Sequence, residues 1–176
     1  LLRAMGEIRS VVEDIRVVLV GYQVLTPWKT PEGYAGYPSR LRELVQTIGL
    51  ESQVIFLGFR DDIASVMDAM DIYVHAAMRP EPFGRVIVEA MATGTPVIAP
   101  NAGGAPEIVN DKKTGLLFQP GDEQALARTL LSLIQDKQQR ETLGREASIA
   151  VRDRFTVEDH VRGVERLYAE LLWRSR

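Results

Sequence analysis

The chain has 176 residues, a formal charge of −3, 45% hydrophobic and 26% charged residues, the ordinary make-up of one packed globular domain. Lys and Arg are interspersed with acids, so nothing points to nucleic acid, and the lack of cysteine removes disulfides, thiolate metal sites and Cys nucleophiles. No apolar run approaches membrane-spanning length, and no signal-peptide pattern is present.

The chain opens on Leu1-Leu2-Arg3-Ala4-Met5, helical in pattern from the start and without an initiator Met, which reads as a piece of something longer. Leu1, Leu2, Met5, Ile8, Val11 and Val12 fall at helical spacing and predict an amphipathic helix to about residue 14. Arg16 to Gly21 is a β-branched run ending in Gly, a strand buried on both faces. Tyr22 to Pro38 is rich in proline and aromatics and reads as a long loop, functional or mobile. Arg40 to Ile48 reads as a helix closed by Gly49. Val54 to Phe59 is a second buried strand, and Asp61 or Asp62 caps a short helix through Met70. Asp71 to His75 is a third strand.

Then comes the stretch Pro80-Glu81-Pro82-Phe83-Gly84-Arg85-Val86-Ile87-Val88-Glu89-Ala90-Met91-Ala92, a loop running into a helix that starts near Phe83 or Gly84. Pro96 to Ala99 is a strand, Asn101 to Gly104 a tight loop, Ala105 to Val109 one helical turn, and Thr114 to Phe118 a last short strand. A helical tail follows, at about 122–135, 138–153 and 157–173, with Asp122 and Thr156 as caps. Strands alternating with helices at this spacing predict a doubly wound parallel α/β sheet. Residues 1–155 form its domain and 156–176 a C-terminal helix.

In such a sheet ligands bind beyond the carboxyl ends of the strands. A helix starting at Phe83 or Gly84 offers unpaired N–H groups and about half a positive charge, an anion site suited to a diphosphate. Glu81 overhangs that start, and Glu89 lies about five residues in, roughly 8 Å down the axis. Acids beside phosphate are repelled by it, so both suit hydroxyl groups, and a nucleotide sugar carries hydroxyls on each flank of its diphosphate. From spacing alone, a solvated Glu89 and a Glu81 that merely lies near a dipole are an equal reading.

The stretch from Glu81 to Ala92 resembles the Glu-x7-Glu signature of the retaining glycosyltransferases of GT-B fold, the glycogen-synthase-like and sucrose-synthase-like group. Val54 to Phe59, Asp71 to Val74, Gly94 to Ile98, Gly103 to Val109, and Thr114 to Phe118 with Pro120-Gly121-Asp122 stand in that family's order and spacing, over nearly all of residues 1–173. The resemblance implies a Rossmann-like C-terminal half of a GT-B fold, binding a UDP-, GDP- or ADP-linked sugar, with no further cofactor. It implies that Glu81 binds the transferred sugar near the reacting carbon and that Glu89 holds the ribose. The backbone at Phe83, Gly84 and Arg85 would take the distal phosphate, the backbone around Phe59 and Arg60 the base. Gly103 and Gly104 would let the next loop close over the donor, with Glu107 bracing it.

The family's diphosphate-neutralising Arg and Lys lie upstream of the first residue here, as does the acceptor-binding half. Arg85 stands where many relatives have an aliphatic residue, and either adds charge to the phosphate site or faces solvent. Tyr22, Trp28, Tyr34, Tyr37 and Lys29 of the long loop either stack on a sugar or base or pack on themselves. His75 at a strand exit either faces the donor or, the better reading, is a hydrogen-bonded loop histidine; His160 reads as structural, Thr93 and Thr95 as capping or backbone-bonding hydroxyls near the pocket floor, and nothing requires a bound Mn or Mg. The apolar stripe of the last helix, Val157 to Leu172, would cross to the other half in relatives and here lie bare or self-associate. A cytoplasmic protein with peripheral membrane contact through the missing half is expected. A non-catalytic nucleotide-binding module, an epimerase and a phosphorylase remain as alternatives on the same fold.

Overall fold

The computed structural model describes residues 1–12, 14–21, 36–77 and 79–174. In chain order these form α1 (Leu2–Ile8), β1 (Val17–Val20), α2 (Tyr37–Thr47), β2 (Val54–Gly58), α3 (Ile63–Asp68), β3 (Tyr73–Val74), α4 (Arg85–Ala92), β4 (Val97–Pro100), α5 (Ala105–Ile108), β5 (Leu116–Phe118), α6 (Glu123–Gln135), α7 (Lys137–Arg154) and α8 (Val157–Arg174). Every strand pair is parallel, as the alternation of strands with helices predicts.

Strand β4 organises the double winding. Its four residues are all buried, and successive side chains point to opposite faces. Ile98 joins one apolar core, built on α1, α6, β1, β2 and β5 with Val45 of α2. Val97 and Ala99 join a second core, with Met67 of α3, Ile87, Ala90 and Met91 of α4, Ala105 and Ile108 of α5, and Ala147 and Val151 of α7. Helices therefore cover both faces of the strand.

Among the described residues the strands fall into two parallel sheets, β1–β2 and β3–β4–β5. The backbone N–H groups of Val17 and Gly21 donate toward β2, those of Tyr73 and His75 toward β4. None of the described residues supplies a strand between β1 and β3. This placement also corrects the expectation of two fully buried strands. β2 is an outer strand whose Ile55 and Leu57 are exposed, and β1 is buried only at Val17.

Helix ends follow local chemistry. Asp122 accepts from Ala125 N–H at 2.7 Å and opens α6 as its sequence position predicts, and Thr156 Oγ accepts from Asp159 N–H at 3.1 Å. Asp62 does not cap α3, because its carboxylate is held by Arg60 Nε at 2.7 Å instead. Helix α1 ends at Ile8, where the N–H groups of Val11 and Val12 turn back onto the Ile8 carbonyl. Helix α2 starts at Tyr37, ahead of the expected Arg40, because Pro38 in a first turn lacks only an N–H that would have no partner there. Of the loop aromatics only Tyr37 is placed; Tyr22, Trp28, Lys29 and Tyr34 lie outside the described residues. Among the described residues no helix is long and apolar enough to cross a membrane.

Candidate functional site

The site is built where β3 and β4 end and α4 begins. Ile87, Ala90 and Met91, three and four residues apart, sink into the core and fix the rotation of α4. That rotation leaves Glu89 at the surface edge, with 36% of its side chain exposed. Gly84 precedes the helix at φ 93°, a backbone region open to glycine, and no side chain caps the helix start. The Ile87 N–H turns back onto the Gly84 carbonyl, which leaves those of Arg85 and Val86 for an outside acceptor, as when a helix terminus binds an anion.

The loop after β4 closes against the loop before α4. Gly104 N–H donates to the Glu81 carbonyl at 2.9 Å. A Cβ on Gly104 would stand 2.6 Å from the Pro82 and Phe83 carbonyls, and one on Gly103, itself at φ 60°, would collide with the Glu81 carbonyl. Only glycine lets the two loops approach this closely. Phe83 is anchored from outside, edge-on to Phe155 with ring centroids 5.9 Å apart. Its side chain is therefore used as a brace, while its backbone stays at the site.

Together these segments enclose a narrow cavity of about 10 Å³, lined among others by His75, Arg79, Glu81, Phe83, Gly84 and Ala102. That is room for roughly one water. His75, expected to be structural, turns inward at the end of β3, its side chain 8% exposed and Nε2 3.7 Å from Glu81 Oε2. Burial pushes its pKa down, against the opposing pull of the Glu81 carboxylate, so the ring is neutral at neutral pH. Tyr73, two residues earlier on the same strand, feels both acids. Burial first, then the charges of Glu81 and Glu89, push its phenol up to about 12.

Arg85 is exposed and places Nε 3.0 Å from Glu89 Oε1, a pair one helical turn apart. The cation nearest the helix start is thus engaged by the acid assigned to the ribose. Phe59 and Arg60 stand at the exit of β2 and do not line the cavity. Phe59 is 72% exposed, and the Arg60 guanidinium pairs with Asp62, holding that carboxyl below its ordinary value. Thr95 donates to the Met67 carbonyl and Thr93 to the Ala90 carbonyl, both at 2.8 Å, so these hydroxyls serve the backbone. Glu107 closes the α5 turn through its own N–H, donated to the Gly104 carbonyl. Among the described residues no group of three or more His, Asp or Glu side chains is placed to hold a metal ion.

Tyr73 and Phe155 were not singled out as site residues in the sequence, and His75 was weighed as a donor-facing residue but read as a loop histidine. A signal for His75 existed, a polar residue ending an apolar strand two residues beyond Tyr73. Nothing local marks Phe155, whose partner is 72 positions away.

Residues 1–149 match the family described as glycosyl transferases group 1. The chain is 32% identical to N-acetyl-alpha-D-glucosaminyl L-malate synthase of Bacillus anthracis over 130 residues, 74% of this chain and 34% of that protein. It is 33% identical to D-inositol 3-phosphate glycosyltransferase of Corynebacterium efficiens over 151 residues, 84% of this chain and 34% of the relative. Among solved structures, Anabaena Alr3699/HepE in complex with UDP, and again with UDP-glucose, superimposes with a TM-score of 0.84 at 36% identity, covering 96% of this chain and 44% of that one. The chain thus spans about a third of the length of these curated relatives. By the family match, which covers most of its length, the chain belongs to the group 1 glycosyl transferases.

Proposed function

We propose that this chain is the nucleotide-sugar-binding part of a retaining glycosyl transferase. The observation that carries the reading is the apposition of the Gly103–Gly104 loop and the Glu81–Phe83 loop over the uncapped start of α4. A diphosphate on those N–H groups would sit between two carboxylates, Glu81 on one flank and Glu89 on the other. The Anabaena structures with UDP and UDP-glucose support this ligand class. The rest of a longer protein would hold the acceptor.

In this reading catalysis is electrostatic. The helix start stabilises negative charge on the diphosphate as it departs, in a site where loop closure excludes water. Glu81 fixes the sugar so that the reacting carbon meets the acceptor from one face. Glu89 holds Arg85 through Oε1 and keeps Oε2 for ribose, and Arg85 stands at the helix start beside the phosphates. No side chain of this chain is assigned as general base or covalent nucleophile.

The two acids are separable by experiment. A charged acceptor–hydroxyl bond contributes about 1.5–3 kcal/mol, or roughly 10- to 100-fold in affinity. Glu89→Ala should weaken a nucleoside diphosphate by that factor, whereas Glu81→Ala should remove mainly the preference for the sugar-bearing form. Equal insensitivity of nucleoside diphosphate binding to both changes would contradict the assignment.

A further inference from the structure

The group that the proposed chemistry leaves unused is His75. Its side chain is more than nine-tenths buried and makes no hydrogen bond with any described residue. Among the described residues no fully buried side-chain nitrogen or oxygen lacks a partner, so the ring nitrogens of His75 keep a sliver of accessible surface. That surface opens into the cavity at the start of α4. Ring nitrogens that keep accessible surface and have no protein hydrogen bond are open to a ligand.

The distance to Glu81 says what kind. Nε2 and Oε2 are 3.7 Å apart, too far for a hydrogen bond to each other. One oxygen placed about 2.8 Å from each can bridge the two. Such an oxygen must accept from the imidazole N–H and donate to the carboxylate. A sugar hydroxyl does both, as water does; a phosphate oxygen, a carbonyl and an ammonium each fail one of the two. The cavity, of about 10 Å³, has the size of that one group.

We propose that His75 and Glu81 together read a single hydroxyl of the transferred sugar, the imidazole as donor and the carboxylate as acceptor. The inference rests on the assignment of Glu81 to the sugar, and it adds a second, chemically distinct contact. Two-sided pairing demands a hydroxyl at one position and orientation on the ring. A deoxy or epimeric sugar leaves both buried polar groups unpaired and is disfavoured. His75 is in this sense a specificity residue. It requires the tautomer with its proton on Nε2.

The test uses the 176-residue chain and three probe pairs: UDP-glucose with UDP, GDP-mannose with GDP, and ADP-glucose with ADP, titrated by NMR. For the pair in which the sugar strengthens binding, His75→Leu should weaken the sugar-bearing probe about tenfold more than the bare diphosphate. His75→Gln, whose amide N–H falls near the place of Nε2, should keep that preference within about threefold of the original. Glu81→Gln should lose it as His75→Leu does. Nitrogen-15 shifts of His75 in the donor complex should show the proton on Nε2, a readout independent of whether the leucine variant folds. If Glu81→Gln abolishes the sugar preference and His75→Leu does not, or the proton lies on Nδ1, the role of His75 is wrong and that of Glu81 stands. If neither change touches the preference, or no pair shows one, both assignments fall.

Discussion

At the residue scale, His75 and the paired glycines carry the sharpest consequences. The folded pKa of His75 lies below its ordinary value of 6.5, burial outweighing the Glu81 carboxylate. The unfolded chain therefore binds a proton that the folded chain resists. Stability from this residue is fully present above about pH 6.5 and is lost as pH falls toward the folded value. The urea midpoint should decline across that window, and His75→Leu should flatten the decline. Glu81 and Arg79 from the loop and Tyr73 on the same strand are the ionisable groups around the ring, and Tyr73, raised to about 12, contributes nothing there. Gly103→Ala puts a Cβ onto the Glu81 carbonyl at a positive φ. The two loops should then part, with a loss of about 1–3 kcal/mol in stability and weaker binding of both probes in a pair. An unchanged melting curve and unchanged affinities would show that the loop contact is dispensable.

At the scale of elements, β4 and α6 are the places where a single change reads the architecture. Ile98 is fully buried in the core around α1 and α6, while its neighbours Val97 and Ala99 serve the other core. Ile98→Ala should cost about 2–5 kcal/mol, measured by denaturant unfolding. Asp122→Ala removes the cap on α6 and should cost about 1 kcal/mol. These elements were legible because their signals are local: β-branched runs, a 3.6-residue apolar stripe, Asp three positions ahead of the N–H it accepts. What was not legible depends on partners distant in sequence. Asp62 looked like a cap until Arg60 took its carboxylate, and Ile55 and Leu57 looked buried because a strand's sequence does not say whether it lies outermost. Glu89 could be placed by counting along α4, but the inward turn of His75 depended on how the loop from Arg79 to Gly84 folds back over it.

At the scale of the whole molecule, the tail helix stands apart from both cores. Val157, Val161, Val164, Leu167, Tyr168 and Leu171 of α8 are all exposed, so the apolar stripe read in the sequence is uncovered in this chain. A helix with few buried contacts opens at low cost. Amides of α8 should therefore exchange with deuterium at least about a hundredfold faster than those of α4 and β4. Comparable protection would mean that the stripe is covered, for instance by self-association. The family match covers residues 1–149 and so ends before this helix.

The central claim, that the loops over α4 hold a nucleotide sugar, is tested most directly by calorimetric titration of the chain with UDP-, GDP- and ADP-linked sugars. Saturable one-to-one binding of at least one of them, lost in Glu89→Ala, is the predicted result. No binding of any, by protein whose amide spectrum shows the site loops folded, would contradict it.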